Sequence, residues 1–160
     1  MDILIRRAEQ KDLSDLMELA AQALLEAGSE RFGLSPDLDL ARDFYSIYIK
    51  SGATIALVAE VPGGKVAGSI AASLSPWFIG NPGLIVADNT WWFVDKKYRG
   101  PEKVGLKLLN ELERQVRQRG VRAFQMRVMT FPGQSAKIGN YITRLGFRVN
   151  SLEFFKQMEG

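Results

Sequence analysis

Residues 91–109, WWFVDKKYRGPEKVGLKLL, decide the fold. Trp91-Trp92-Phe93-Val94 is an aromatic and β-branched run and predicts a strand. Asp95 to Gly100 is polar and reads as a turn. From Pro101 the period changes. Val104, Leu108, Leu112 and Val116 recur every four residues, with Leu109 beside them and Lys, Glu and Arg on the other faces. This predicts a helix over 102–119, ended by Gly120. A glycine-containing turn that feeds a helix N-terminus makes an anion site, because free N–H groups and the positive end of the helix dipole meet there. With Gly100 as the cap, Pro101 takes the first helical position, where its missing N–H costs little. The amides of Glu102, Lys103 and Val104 then face the anion, and Gly105 leaves room for close approach. Arg99, Lys103 and Lys107 add positive charge, while Glu102 would repel an anion and is expected to point away.

On the N-terminal side, Ile3 to Arg7 reads as a short strand. Asp12 to Ala27 reads as an amphipathic helix with Leu13, Leu16, Met17, Ala20 and Leu24 on one face, ended by Gly28. Pro36 to Lys50 predicts a second helix with Leu40, Phe44, Ile47 and Tyr48 apolar. Thr54 to Val61 and Val66 to Leu74 predict a hairpin turning at Pro62-Gly63-Gly64-Lys65. Residues 75–88 carry Pro76, Gly80, Pro82 and Gly83 among Trp77, Phe78, Ile79 and Leu84, and read as an apolar loop that either packs on the core or walls an acceptor pocket. On the C-terminal side, Val121 to Met129 is expected to be a strand and Ser135 to Leu145 a helix capped by Ser135. Phe147 to Met158 supplies one or two further strands. Strands alternate with helices in the middle and pair as hairpins elsewhere, which predicts an α/β (α+β) domain with a mixed sheet and helices on both faces. No repeat, low-complexity tract or linker divides residues 1–160, so a single domain is expected.

Composition removes several chemistries. Among 160 residues there is no cysteine and no histidine, so thiolate nucleophiles, disulfides, Ser-His-Asp catalysis and histidine metal sites are excluded. Proton transfer is left to carboxylates, tyrosine, lysine or water. No EF-hand spacing is present, and no metal site is expected. Net charge is +3, with basic residues clustered at 96–107 and 114–127. An anion pocket explains the first cluster and a solvated helix face much of the second. No recognition motif accompanies the charge, so nucleic acid is not an expected partner. No apolar run approaches membrane-spanning length, and Asp2 followed by arginines does not match a signal peptide. A cytoplasmic protein with no membrane partner is expected; a homodimer is left open.

The order Val94, Arg99-Gly100, Val104-Gly105-Leu106, Leu108-Leu109 resembles the acyl-CoA-binding signature of the GNAT superfamily of N-acetyltransferases, where a strand ending in valine leads to V-x-P-x-x-R-G-x-G-I-G-x-x-L-L. Ile3 to Ala8 is similar to the family's first strand, Asp12-Leu13 to the opening of its first helix, and Leu145-Gly146-Phe147 to the L-G-F after its last helix. The resemblance therefore spans nearly the whole chain. The lysine-rich turn and short length are similar to bacterial and phage-encoded members. Lys96 stands where the family has proline, and Pro101-Glu102-Lys103 are three residues where it usually has two. Lys103 occupies the place of the first loop glycine. The dinucleotide and P-loop glycine patterns are absent.

The resemblance implies a mixed, mostly antiparallel central sheet of six to seven strands. It also implies acetyl-CoA as acyl-donor cosubstrate and direct transfer to a primary amine, carried by a small molecule or a protein. The cofactor is expected along Trp92, Phe93 and Val94, then on Arg99, Gly100, Glu102, Lys103, Val104, Gly105 and Leu106. Ser135 stands at the family's asparagine position, with Gln134 beside it. In a regular strand Trp91 and Trp92 face opposite ways, one into the core and the other toward the acceptor channel. A non-catalytic CoA-binding protein and a nucleic-acid-directed member of the fold are the alternative readings.

An amine with a pKa near ~10.4 is neutral in only roughly one molecule in 2,500 at pH 7, a cost of about 4.6 kcal/mol, so a base is useful. Asp88 lies six residues before Val94, where histone-acetylating members carry a glutamate base. It reads as the candidate base, or else as a turn residue before the strand. Glu60 is the second candidate, beside its reading as a solvated carboxylate before a turn. The family's acid tyrosine position holds Ile142; the adjacent Tyr141 is either that acid, offset by one residue, or core.

Overall fold

The uninterrupted apolar run Ile55-Ala56-Leu57-Val58-Ala59 forms β2 (Thr54–Glu60), every one of these five side chains being buried. The computed structural model describes residues 2–28, 37–77, 81–100, 102–127 and 135–149. Around β2 stand β1 (Leu4–Arg7), β3 (Val66–Trp77), β4 (Asn81–Val94) and β5 (Ala123–Gln125). The helices are α1 (Leu13–Ala27), α2 (Leu38–Lys50), α3 (Val104–Gln118) and α4 (Ser135–Arg144), with short 3-10 turns at Gln10–Asp12 and Lys96–Tyr98. The strands form one sheet in the order β1-β2-β3-β4-β5. The first three pairings are antiparallel and β4–β5 is parallel.

The two faces of the sheet carry separate cores. Ile55, Leu57, Ile70, Ala72, Ala87 and Val94 pack with Val104, Leu108, Leu109, Leu112 and Val116 of α3. Each fully buried aliphatic side chain contributes about 2 kcal/mol. Ala56, Val58 and Ala71 pack with Leu16 and Leu19 of α1, and Tyr45 and Ile49 of α2 join them. The expectation of helices on both faces is met. At one end of the sheet, Arg6 donates to both Asp12 oxygens at 2.7 and 2.8 Å and to Glu60 at 2.7 Å. Burial pushes the Asp12 carboxyl up, but the Arg6 guanidinium and the Glu9 N–H outweigh it and hold Asp12 below the usual carboxylate range.

Several expectations are corrected. The sheet has five strands among the described residues, not six to seven. Residues 147–149 are not strand, and 150–158 lie outside the described residues. The apolar loop expected at 75–88 is largely hairpin, with Pro76 opposite Ile85 and Trp77 opposite Asn81. Its prolines are tolerated because the hairpin outruns its neighbours: β2 reaches only Ser73 of β3, and β5 only Val86 of β4. Pro76 therefore withholds no hydrogen bond from β2, and Pro82 falls in the irregular stretch between the paired positions Asn81 and Ile85. Finally, the helix expected from 102 begins at Val104, and Leu38 rather than Pro36 opens α2, capped by Asp37 accepting from the Leu40 N–H at 2.9 Å.

Candidate active site

Strand β4 is the spine of the site. It pairs with β5 only at Val86, Ala87 and Asp88. Beyond Asp88 it continues for six residues to Val94 with no strand on that side among the described residues. At the point of parting, Ala72 pairs with Asn89 but Ala71 pairs with Trp91, so Thr90 is an extra residue in a β-bulge. Asn89 is buried, and its side-chain amide donates to the carbonyls of Ala71 at 3.0 Å and Trp91 at 2.9 Å. The bulge reverses the alternation. Trp91 and Phe93 join the α1/α2 core, while Trp92 and Val94 join the α3 core. The two tryptophans do face opposite ways, and both pack. Asn89 was not singled out from the sequence, although a polar amide inside an aromatic strand is a usable signal of broken pairing. Gly68 was missed too: a Cβ there would lie 3.0 Å from the Phe93 carbonyl oxygen, so β3 approaches the end of β4 closely.

From Val94 the chain turns back toward the helix. The Asp95 N–H donates to the Ala67 carbonyl at 2.9 Å, and Asp95 accepts from the Lys97 N–H at 2.8 Å. Arg99 is drawn to the strand end. It donates to the Val94 carbonyl at 2.8 Å, pairs with Glu26 of α1 at 2.7 Å and lies 4.9 Å from the Phe93 ring centre. Gly100 has φ 104°, and its carbonyl accepts from the Lys103 N–H at 3.0 Å. The expected cap is corrected here: Lys103, not Gly100, stands at the N-cap of α3. The N–H groups that lack intrahelical acceptors are therefore those of Val104, Gly105 and Leu106, rather than those of Glu102, Lys103 and Val104. Lys103 has φ 52°, the only left-handed non-glycine among the described residues. Glu102 is half-buried before the helix, and Lys107 is exposed within its first turn. At Gly105 a Cβ would meet the Trp92 ring at 3.3 Å, so the helix start approaches the indole closely. The Trp92 Nε1 atom is buried beside it with no hydrogen-bond partner.

Asp88 lies in the middle of β4, not at its start, opposite Ser73 on one side and Gln125 on the other. Its Oδ2 accepts from Arg127 at 2.8 Å, while its Oδ1 is buried and unpartnered. Glu60 is half-buried and not near this point. It is bound to Arg6, on a strand separated from β4 by β3. Tyr141 is 42% exposed and Ile142 is buried, so the tyrosine does not join the core. Ser135 opens α4, its side chain outside what is described; Gln134 and Pro101 also lie outside the described residues. Among those residues, no helix is long and apolar enough to cross a membrane.

No family model matches the sequence, and no curated protein matches it. Solved structures do match the fold. Glucosamine-6-phosphate N-acetyltransferase from Arabidopsis thaliana aligns with a TM-score of 0.71 at 18% identity, over 99% of this chain and 100% of that one. An aminoglycoside 6'-N-acetyltransferase from Acinetobacter baumannii gives 0.71 at 20% identity, over 99% and 100%. AAC(6')-Iy, in complex with the bisubstrate analogue CoA-S-monomethyl-acetylneamine, gives 0.72 at 17% identity over 100% of both chains. The chain therefore has the fold of the GNAT acetyltransferases.

Proposed function

We propose that this chain is an acetyl-CoA-dependent N-acyltransferase acting on a primary amine. One observation carries the reading: β4 leaves β5 at Asp88 and runs on to Val94 with no strand on that side among the described residues, leading by one turn to the open N–H groups of α3. An extended thioester cosubstrate with a diphosphate fits such a path. The strand edge over Asn89–Val94 would hold its arm, and the amides of Val104, Gly105 and Leu106 with Lys103 and Lys107 would hold its phosphates. The buried Trp92 N–H is a further donor beside the helix start. Acetyl-CoA would supply an activated acetyl group, and the amine nitrogen would take it as the free thiol is released.

Asp88 is the proposed base. Its Oδ1 atom is unpartnered, and Arg127 holds the other oxygen. It would accept the proton that the amine gives up, directly or through one water. N–H groups of the open strand edge would face the negative charge that develops on the carbonyl oxygen. Tyr141, exposed on α4, is the remaining candidate to protonate the departing thiolate, although a thiol pKa near ~8.5 makes a strong acid less necessary.

Acetyl-CoA at about one hundred times its Kd should add about 2.7 kcal/mol of stability, raising Tm by roughly 5 °C or more. An unchanged Tm would remove the cosubstrate site. Release of free CoA, corrected for hydrolysis, in the presence of amines tests transfer. The strained Lys103 at the glycine position favours one other reading, a protein that binds CoA without turnover; a Tm rise with no amine-dependent CoA release would select it.

A further inference from the structure

We infer that the amine acceptor of this chain is one carried on a flat apolar body, an aralkylamine, bound with its nitrogen at Asp88 and its ring on an aromatic shelf made by α2 and Trp91. The inference rests on the acyl-transfer reading for the role of Asp88; the shelf stands on its own geometry. Thr54, Ser73 and Asp88 form one cross-strand row, and Ala56, Ala71 and Trp91 form the next. Both rows lie on the α2 face, about 7 Å apart. Helix α2 crosses them. Thr54 Oγ1 donates to the Tyr48 carbonyl, and the rings of Tyr45, Tyr48 and Phe44 stand 4.6, 5.5 and 6.3 Å from that of Trp91.

The shelf is fixed from below. Trp91 Nε1 donates to Ser69 Oγ at 2.9 Å, and Ser69 donates to the Leu57 carbonyl at 2.8 Å. It is open from above: no residue of α2 is fully buried, and Leu40, Phe44 and Ile47 are 67%, 42% and 66% exposed at helical spacing. Charge complementarity names the occupant. One cross-strand row from Trp91, on the same face of the sheet, sits a carboxylate with one oxygen paired to Arg127 and the other buried without a donor. An unmet buried acceptor is costly, and an amine N–H would satisfy it. The aromatic faces suit a flat ring, and also the cationic form of the amine on its way in. A sugar amine would set its hydroxyls against Leu40, Phe44 and Ile47, which offer them no partner.

The test is isothermal titration of the CoA-loaded protein with 2-phenylethylamine, spermidine and glucosamine 6-phosphate, alongside product formation from each with acetyl-CoA. Phenylethylamine should bind at least tenfold more tightly than the other two. Phe44→Ala should weaken it tenfold while leaving the Kd of CoA in place, and Phe44→Leu should recover part of the loss. Equal or weaker binding of phenylethylamine, or indifference to Phe44→Ala, would overturn the shelf. Preferential binding without acetylated product would sink the transfer reading and leave the shelf standing. Product from spermidine or the sugar amine without the aromatic preference would do the reverse.

Discussion

The side-chain amide of Asn89 donates to the carbonyl of Trp91 at 2.9 Å, two residues along the same strand, and to that of Ala71 across the ladder at 3.0 Å. One buried side chain thus spans the extra residue Thr90 and holds β4 at the point where it leaves β5. Asn89→Ala should cost about 2 kcal/mol, because two carbonyls lose their donor, and lower Tm by roughly 6 °C. Asn89→Asp should cost more, since a carboxylate brings lone pairs to the same two oxygens. Thermal melts of the two variants decide this. Equal stability of Asn89→Asp and the parent would mean that the bulge does not depend on the amide.

Much of the frame was legible because it depends on local period. The stripe Val104, Leu108, Leu112 and Val116 lies buried on the sheet, as its spacing requires, and Gly28 and Gly120 end α1 and α3. What was not legible depends on partners distant in sequence. Pro76 and Pro82 read as loop residues because nothing in the local sequence says that neighbouring strands stop short of them. Asn89 and Gly68 matter through Ala71 and Phe93, eighteen and twenty-five residues away. The start of α3 was placed early because Gly100-Pro101 is a good helix opening locally, whereas the chain inserts one more turn and takes its left-handed residue at Lys103.

That lysine supports a second prediction. A left-handed φ costs an L-residue about 1 to 2 kcal/mol, and its charge sits at the positive end of the α3 dipole. Lys103→Gly should relieve the strain and, after the added freedom of the unfolded chain, raise stability by about 0.5 kcal/mol. Lys103→Ala keeps the strain and removes only the charge. In chemical unfolding, Lys103→Gly should be the more stable of the pair; the opposite order would show that the turn does not hold this φ in solution.

The role proposed for Asp88 predicts a pH-dependent loss. At pH 7 an amine of pKa ~10.4 is almost wholly protonated, whereas at pH 9.5 roughly one molecule in nine is already neutral. Asp88→Asn should therefore reduce kcat/KM about a hundredfold at pH 7 and less than tenfold at pH 9.5, with the KM for acetyl-CoA little changed. Measured pH–rate profiles of the two proteins test this. Parallel profiles, with the same deficit at both ends, would take Asp88 out of proton transfer.

Away from the site, the Arg6–Asp12 pair governs behaviour in acid. Asp12 is held below the carboxylate range in the folded chain by Arg6 and the Glu9 N–H, so its folded pKa lies under its unfolded one. The sign follows: its contribution is complete above the unfolded value, near ~4, and disappears as pH falls through the folded value. Asp12→Asn leaves Arg6 with Glu60 as its remaining carboxylate partner and should cost about 3 kcal/mol at pH 7. The variant has no carboxyl to titrate at this position, so the gap between the two proteins should be constant from pH 7 to 5 and narrow below about pH 4. Urea unfolding at pH 7, 5 and 3 measures the gap. A difference that stays the same at pH 3 would mean that the variant loses packing or the Glu9 contact rather than the ion pair.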